Sequence, residues 1–319
     1  MAAGTCWVMT QGEVGMVSQA LGLAEALGYA SPAIKKVGLR WPWTWAPNWP
    51  VLASLRALSA GSAPVQAPWP DLLITCGRKA AFISLAIGRV SPETARIHIQ
   101  NPHASLGAYD LVLVPAHDGV TGPNVLATQG ALHRVNAAKL AQGRAEFGTS
   151  LGALPKPLVA VLLGGTNRNY RLDAAWAVDF AASLRRLQAE TGCGLAITPS
   201  RRTDPAAVQA LRQHLGNGRW ESWSGAGTNP YFGYLGTADA VIVTCESISM
   251  VSEACATGKP VYLARLPGHS ARFDEFFKSL EAKGLVRWFD GSLELWKNGR
   301  LDDMDGIASQ VRARLGNRI

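Results

Sequence analysis

The chain has 319 residues, of which 48% are hydrophobic and 17% are charged. This length exceeds what one hydrophobic core usually covers, so we expect two folded domains. The formal net charge of +8 favours anionic partners such as phosphorylated substrates or lipid headgroups. The basic residues are dispersed and form no zinc-finger or RNP pattern, so we expect no nucleic-acid partner. No apolar run approaches the roughly 18 residues of a membrane span.

The N-terminus and the cysteines both favour a cytoplasmic protein. The first residues lack the basic start and the apolar stretch of a signal peptide. The five cysteines are scattered and form no CxxC pair, which favours reduced thiols over disulfides or a zinc site. No set of His, Asp and Glu residues has metal-ligand spacing, so we expect no bound metal.

Short apolar runs alternate with helical patterns in the first half of the chain. This alternation predicts a parallel sheet covered by helices. The predicted strands are 6–10, 33–37, 71–77, 96–100 and 110–115, and the predicted helices include 16–28 and 78–90.

The Gly- and Pro-rich segment 146–157 is typical of a linker, and the pattern restarts after it. We therefore predict an N-terminal domain over 1–150, a C-terminal domain over 151–300, and a last helix within 301–319 that crosses back to the first domain. Two such domains form a cleft, and ligands of parallel sheets bind beyond the carboxyl ends of the strands. The second half contains predicted strands at 158–165, 194–200, 239–244 and 260–266, with helices at 173–192, 205–215, 230–237 and 247–257.

Two loops at strand ends have the composition of a phosphate site. The first contains Gly164, Gly165 and Thr166, whose backbone N–H groups can approach a phosphate. A simple strand-ending turn explains the same residues. The second loop contains Ser200, Arg201 and Arg202, where forked hydrogen bonds can clamp a diphosphate. A solvated arginine pair is the alternative there.

The most specific motif lies between residues 238 and 261. Ser247 and Ser249 stand at the start of a predicted helix, where hydroxyl and free N–H groups suit an anion. Glu253 lies one turn further into that helix and can accept hydrogen bonds from ribose hydroxyls. An ordinary N-capped helix explains Ser247 but does not explain the combination.

The stretch 239–261 resembles the nucleotide-sugar-binding segment of GT-B glycosyltransferases, the class of the lipid-linked peptidoglycan N-acetylglucosaminyltransferase. The resemblance implies an α/β fold with two Rossmann-like domains whose parallel sheets face a cleft. It also implies that Ser247 and Ser249 face the diphosphate and that Glu253 holds the ribose.

A wider set of motifs is similar to the mitochondrial-fission "elongated mitochondria" family and its bacterial relatives. These motifs span about 70 to 290 and include PDLLITCGRKAA, TPSRRT and TCESISMVSEACATGKPVY. For plant members the resemblance implies help in recruiting a dynamin-related GTPase to mitochondria. For bacterial members it implies chemistry on nucleoside-diphosphate sugars.

Acid/base candidates follow two strands of the predicted N-terminal domain. The loop 10–16 resembles the first loop of lipopolysaccharide heptosyltransferases, in which an acidic residue after Gly serves as the base. The matching residue is Glu13, although it is Glu in place of Asp, and desolvation in a cleft would raise its pKa toward the value that a base needs. The alternative is that Glu13 only interacts with the helix dipole. His117 and Asp118 are further candidates for acid/base chemistry or for binding an acceptor hydroxyl.

The segment Trp41–Trp49 contains four tryptophans and follows Lys35, Lys36 and Arg40. Amphipathic rings beside cations are typical of membrane interfaces, so we expect contact with an anionic membrane surface. A loop packed on its own domain is the alternative.

Together these features predict a metal-independent glycosyltransferase that uses a nucleotide-sugar as co-substrate and binds no permanent cofactor. The expected acceptor is an envelope glycolipid, which places the protein in the cytoplasm at the inner face of the plasma membrane. Two alternatives stay open. One is a nucleoside-diphosphate-sugar epimerase or hydrolase on the same fold, and the other is a non-catalytic membrane-associated adaptor like the plant members.

Overall fold

The computed structural model describes residues 4–301 and 303–319. Over these residues the strands are β1 (Cys6–Thr10), β2 (Ala33–Lys36), β3 (Leu72–Cys76), β4 (Ala95–Ile99), β5 (Leu111–Pro115), β6 (Val125–Thr128), β7 (Leu158–Leu163), β8 (Gly194–Pro199), β9 (Trp220–Ser222), β10 (Ala240–Thr244), β11 (Val261–Ala264) and β12 (Arg287–Trp288). The helices are α1 (Val14–Ala26), α2 (Arg78–Val90), α3 (Ala137–Leu151), α4 (Ala174–Thr191), α5 (Pro205–Leu215), α6 (Tyr231–Thr237), α7 (Ile248–Cys255), α8 (Ala271–Ala282) and α9 (Met304–Leu315).

The chain divides into two compact units. The first unit runs to Arg134 and resumes at Asp303, so it includes α9, and the second unit begins at Val135. Among the residues that the structure describes, no helix combines the length and the apolarity that crossing a membrane requires.

The first unit is built on a parallel sheet with the strand order β2-β1-β3-β4-β5-β6. Successive side chains point to opposite faces of a strand, and here they enter two separate cores. Val8 packs in the core that α1 and α9 cover, through Leu23 and Val311. Its neighbour Met9 packs in the core that α2 covers, through Phe82. The strand order reverses between β1 and β3, which is where ligands of such sheets bind.

The second unit contains the other parallel sheet, with the order β12-β11-β10-β7-β8-β9. If β7 to β12 are numbered from one to six and the sheet is read from the β9 edge, this is the 3-2-1-4-5-6 order of dinucleotide-binding folds. The order reverses between β7 and β10. Every residue of β7 and of β10 is buried, because helices cover both faces of a parallel sheet.

The predicted fold class, an α/β protein with two Rossmann-like parallel sheets, is confirmed. Every predicted strand and helix occurs within two residues of its expected bounds. The strands β6, β9 and β12 were not predicted; they are two to four residues long and lie at sheet edges. An edge strand packs on one neighbour only and needs no continuous apolar run, so it leaves a weak pattern.

The segment 146–157 is not a linker throughout, because α3 extends to Leu151, whose side chain is fully buried. Helix α3 packs closely on α6, where a Cβ at Gly143 would lie 2.5 Å from the carbonyl carbon of Phe232. Of the two glycines that suggested a linker, Gly148 lies within α3 and Gly152 is its C-cap, while Gly143, further toward the helix start, allows α3 to touch α6. For the same reason the units separate between Arg134 and Val135 rather than near residue 150.

All five cysteines are free thiols, and all are buried. Burial raises the pKa of Cys6 and of Cys255 to about 12 and that of Cys245 to about 11. Cys6 and Cys76 lie in the first unit, whereas Cys193, Cys245 and Cys255 lie in the second.

We expect Gly143→Ala to lower the free energy of unfolding by about 1–3 kcal/mol, because the added methyl group has no space against the backbone of α6. Urea denaturation measures the change. The matched control is Gly148→Ala on the same helix, where the nearest atom is Arg144 Cγ at 3.9 Å. That variant should be as stable as the wild type or more stable by up to about 1 kcal/mol, since alanine favours helix. Equal destabilisation by both substitutions would contradict the close packing of α3 on α6.

Candidate functional site

The loops that follow β7, β8 and β10 form one hydrogen-bonded cluster in the second unit. These three strands are neighbours in the sheet, so their carboxyl ends meet at the same edge. The edge between β7 and β10 is also the point where the strand order reverses. The residues that were predicted to bind the nucleotide-sugar all lie on these loops or in the helix that follows β10.

Gly164 and Gly165 are fixed by side chains of the neighbouring strand end. The N–H group of Gly164 donates to Thr244 Oγ1 at 2.9 Å, and that of Gly165 donates to Glu246 Oε1 at 2.7 Å. A Cβ at Gly164 would coincide with the Glu246 carboxylate, and one at Gly165 would lie 2.2 Å from the Arg202 carbonyl oxygen. Glycine is therefore required here by close approach. The two N–H groups that were expected to face a phosphate bind the protein's own side chains instead.

The loop after β8 is fastened to the loop after β7 by hydroxyl groups. Ser200 Oγ donates to the carbonyl oxygen of Gly164 at 2.9 Å, and Thr203 Oγ1 donates to that of Leu163 at 3.2 Å. Ser200 thus holds the loop in place, while the side chains of Arg201 and Arg202 are exposed. The arginines are the groups of this loop that remain available to an anion.

Thr166 has a structural role in the loop after β7. Its hydroxyl donates to the carbonyl oxygen of Leu172 at 3.1 Å and accepts from the N–H of the same residue at 3.0 Å. Asn167 Oδ1 accepts from the N–H groups of Asn169 and Tyr170. These contacts close residues 166–172 into a compact turn.

Helix α7 begins directly after the loop that follows β10. Ser247 is its N-cap, and the Ser247 hydroxyl accepts from the Met250 N–H at 3.4 Å. Ser249 lies in the first turn and is half-buried. The first turn of a helix leaves N–H groups without partners inside the helix, and these favour an anion.

Glu253 is 8% exposed and accepts a hydrogen bond from the Tyr231 hydroxyl at 2.6 Å. Burial, and then the charge of Glu253, raise the pKa of Tyr231 well above its ordinary value. Tyr231 therefore stays a hydrogen-bond donor and holds the carboxylate in one orientation. Tyr231 was not predicted, because it is 22 positions from Glu253 and no local pattern links the two residues.

Glu246 was also missed, although it stands beside Ser247. Its side chain is 2% exposed, and burial raises its pKa, while the hydrogen bonds from Thr244 and Gly165 and the charge of Arg202 oppose that rise. An acidic residue two positions after the end of a buried strand was the available signal.

Glu13 lies in the first unit, in the loop between β1 and α1, at the point where that strand order reverses. Its side chain is exposed and makes no capping hydrogen bond to α1. The neighbouring Gln11 Oε1 accepts from the Lys79 N–H at 3.3 Å, which ties this loop to the start of α2.

His117 and Asp118 follow β5 in a single turn of 3-10 helix, and their side chains are 7% and 8% exposed. Two strands, β3 and β4, separate β5 from β1. At about 4.8 Å per strand spacing, the ends of β1 and β5 are roughly 14 Å apart. The structure therefore does not bring this pair together with Glu13.

The segment Trp41–Trp49 is folded by polar anchors. The Arg78 guanidinium donates to the carbonyl oxygens of Thr44 and Ala46, and the Asn48 amide donates to the carbonyl oxygen of Pro102 at 2.7 Å. The tryptophans themselves are largely in solvent, except Trp43, which packs partly against the α2 core. The exposed fractions are 80% for Trp41, 84% for Trp45 and 60% for Trp49.

The surroundings of these tryptophans are basic. Between Glu25 and Asp71 the sequence contains no acidic residue. The cations in that interval are Lys35, Lys36, Arg40 and Arg56. Val51 and Leu52, which follow the segment, are also exposed.

A pocket of about 380 Å³ in the second unit is lined by Cys245, the residue before Glu246, but by none of the predicted site residues. Its lining includes Tyr170, Arg265, Lys278 and Trp288. Within residues 4–301 and 303–319, no group of three or more His, Cys, Asp or Glu side chains could hold a metal ion.

Two parallel Rossmann-like sheets, the second with its loop cluster at the switch point, give the chain a GT-B-like fold. The chain belongs to the family described as Mitochondrial fission ELM1, whose sequence model matches residues 14–315. The predicted resemblance to this family is confirmed.

Two relatives illustrate the family. The mitochondrial fission protein ELM1 of Arabidopsis thaliana is 33% identical over 277 residues, which cover 78% of this chain and 65% of that protein. This chain thus spans less than two thirds of that relative's length. The uncharacterized protein RP120 of Rickettsia prowazekii is 24% identical over 263 residues, which cover 71% of this chain and 73% of that protein.

Solved structures share the fold at low sequence identity. The UDP-GlcNAc 2-epimerase of Neisseria meningitidis, bound to UDP-GlcNAc, has a TM-score of 0.51 at 12% identity and covers 97% of this chain and 91% of its own. The MnaA–UDP complex of S. aureus has a TM-score of 0.50 at 12% identity and covers 99% and 88%. At such identity the likeness establishes the fold alone.

Proposed function

We propose that the second unit binds a nucleoside-diphosphate sugar and that the protein transfers the sugar to a cell-envelope glycolipid. The observation that carries the proposal is the position of Glu253. This carboxylate lies one turn into a helix capped by Ser247, at the switch point of the sheet, and Tyr231 fixes its orientation. A buried, oriented carboxylate beside a helix start suits a ribose next to a diphosphate.

In this proposal each group near the helix start has one task. Glu253 accepts hydrogen bonds from the ribose hydroxyls. The first turn of α7, including Ser249, and the exposed Arg201 neutralise the charge that develops on the leaving diphosphate, so no metal ion is needed for that task. The Gly164–Gly165 loop contributes its shape, because its N–H groups are already bonded.

Glu13 is the proposed base that removes the proton from the acceptor hydroxyl. It lies at the switch point of the first sheet, and its carboxylate is not used as a cap. His117 and Asp118 are the next candidates, although they lie after a different strand.

The proposed acceptor is a lipid, and the exposed tryptophans are the reason. Trp41, Trp45 and Trp49 stand in a stretch of the chain that contains only positive charges. Such a surface suits an anionic membrane, at which a glycolipid headgroup is available. A cytoplasmic protein that attaches peripherally to the membrane fits this arrangement.

Two other functions have specific support. The solved structures with TM-scores of 0.50 or more include epimerases crystallised with UDP-GlcNAc or UDP, so epimerisation or hydrolysis of the sugar nucleotide is the second candidate. It needs no acceptor, and product formation from the sugar nucleotide alone would favour it. The Arabidopsis relative is named for mitochondrial fission, so an adaptor without catalysis is the third candidate. Absence of nucleotide binding would favour the adaptor.

We expect Glu253→Gln to weaken nucleoside diphosphate binding by roughly 10- to 150-fold, since a hydrogen bond to a charged group contributes about 1.5–3 kcal/mol. Titration calorimetry measures the affinity for whichever of UDP, GDP, ADP, CDP and dTDP gives the largest thermal shift. The control is Glu190→Gln, an exposed glutamate on α4. Wild-type affinity in Glu253→Gln would remove the main support for the nucleotide site.

Glu13→Gln preserves the size of the side chain and removes its basicity. If Glu13 is the base, sugar transfer falls by about two to four orders of magnitude while nucleotide affinity stays unchanged. If Glu13 serves only the helix dipole, turnover stays nearly intact and the free energy of unfolding falls by about 0.3–1 kcal/mol. Steady-state transfer rates and urea denaturation of the same preparation separate these results.

We expect the protein to sediment with vesicles that contain phosphatidylglycerol, and less so at high salt because surface attraction is screened. The double variant Trp41→Ser, Trp45→Ser should sediment less while its melting temperature stays unchanged, since both rings are exposed. Leu295→Ser, at another exposed apolar residue, is the control. Undiminished sedimentation of the double variant would argue against this surface.

A further inference from the structure

Glu246 is a buried carboxyl group with only one of its two oxygens satisfied. Oε1 accepts from the Gly165 N–H at 2.7 Å, whereas within the part of the chain that the structure describes nothing donates to Oε2. The side chain is 2% exposed. Its backbone is also held, because Asn167 Nδ2 donates to the Glu246 carbonyl oxygen at 3.2 Å. Glu246 therefore helps to hold the Gly164–Gly165 loop in position through these hydrogen bonds.

The groups that face Glu246 provide little positive charge. From the loop after β8, Arg202 favours the ionised form, but its side chain is exposed to solvent. Cys245 on the same loop and Tyr170 after β7 also face it, and burial raises their pKa values to about 11 and about 12, so both are neutral. The hydrogen bonds from Thr244, from Gly165 and from the backbone of Glu246 itself also favour the ionised form, but burial has the larger effect and raises the pKa of Glu246. A buried carboxylate without an ion pair favours its protonated form.

The location adds a second reason. In the proposed function, on which this inference rests, a diphosphate binds at the start of α7, and Glu246 is the residue before the N-cap of that helix. Two negative charges in a region of low dielectric constant repel each other strongly. A neutral carboxyl group removes the repulsion and still accepts from the Gly165 N–H through Oε1.

We propose that Glu246 is a positioning residue that becomes protonated when a nucleoside diphosphate binds. The proton comes from solvent and binds at the carboxyl group, and the Gly165 hydrogen bond is retained. Binding of the diphosphate is thereby linked to uptake of a proton. Protonation of Glu246 therefore makes the affinity for the diphosphate rise as the pH falls. The phosphate groups need not contact Glu246 for this effect.

Glu246→Gln imitates the neutral acid, because its amide oxygen still accepts from Gly165. We expect this variant to bind UDP at high pH more tightly than the wild type and with the same affinity at low pH. Between about pH 5 and about pH 8 the wild type should lose affinity relative to the variant, by at most about tenfold per pH unit. The terminal phosphate of UDP itself titrates at about pH 6, so only the difference in the pH dependence of affinity between the two proteins is informative.

Calorimetry in buffers of different ionisation enthalpy counts the protons directly, and the wild type should take up more protons than Glu246→Gln. Glu246→Asp is the matched control, since its shorter side chain loses the Gly165 contact. It should bind weakly at every pH. Identical affinity profiles and proton counts in wild type and Glu246→Gln would overturn the proposal.

A measurement without nucleotide separates this inference from the proposed function. A carboxyl group whose pKa is raised in the folded state binds more protons there than when unfolded, so its contribution to stability is lost as the pH rises above about 4.5. As the pH rises from there, the free energy of unfolding of the wild type, measured by urea denaturation, should therefore fall relative to that of Glu246→Gln. If this stability difference appears but no nucleoside diphosphate binds either protein, the proposed function fails and the ligand linkage fails with it. If UDP binds both proteins with one common pH profile, only the linkage is wrong.

Discussion

The loop cluster of the second unit depends on a place where no side chain fits. At Gly164 and Gly165 the chain passes so close to the Glu246 carboxyl group and the Arg202 backbone that even a methyl group would overlap them. This proximity lets Thr244, Glu246 and Ser200 fasten three loops that are distant in the sequence. The start of α7 and the oriented Glu253 are placed relative to these loops, so the proposed nucleotide site is only as well defined as that contact.

The central strands could be predicted because their physical requirement is local. A strand covered on both faces needs a continuous apolar run, and β3, β7 and β10 each have one. Helix α3 could not be recognised in the same way. Gly148 and the C-cap Gly152 resemble the glycines of a linker, and the packing role of Gly143 is evident only when α6 is known to lie against it.

The candidate site was predicted at the level of loops and less well at the level of roles. Ser247 caps its helix, which was the alternative to its predicted contact with a diphosphate, and Ser200 and Thr166 hold their loops in place. The contacts that orient the site join residues 22 and 81 positions apart, and a single sequence contains no trace of such pairs. The Trp41–Trp49 segment shows the same limit, since the anchor that folds it, Arg78, lies much later in the sequence, at the start of α2.

The reactivity of the buried cysteines can be used to measure local unfolding of the protein. A thiol reacts as the thiolate, and burial both shields these sulfur atoms and raises their pKa values. A thiol-reactive probe will therefore modify them only when the surrounding structure opens. Because Cys6 and Cys76 belong to one unit and Cys193, Cys245 and Cys255 to the other, peptide mapping of the labelled sites can time the opening of each unit separately. Cys245, next to Glu246, reports on the loop cluster without any engineered label.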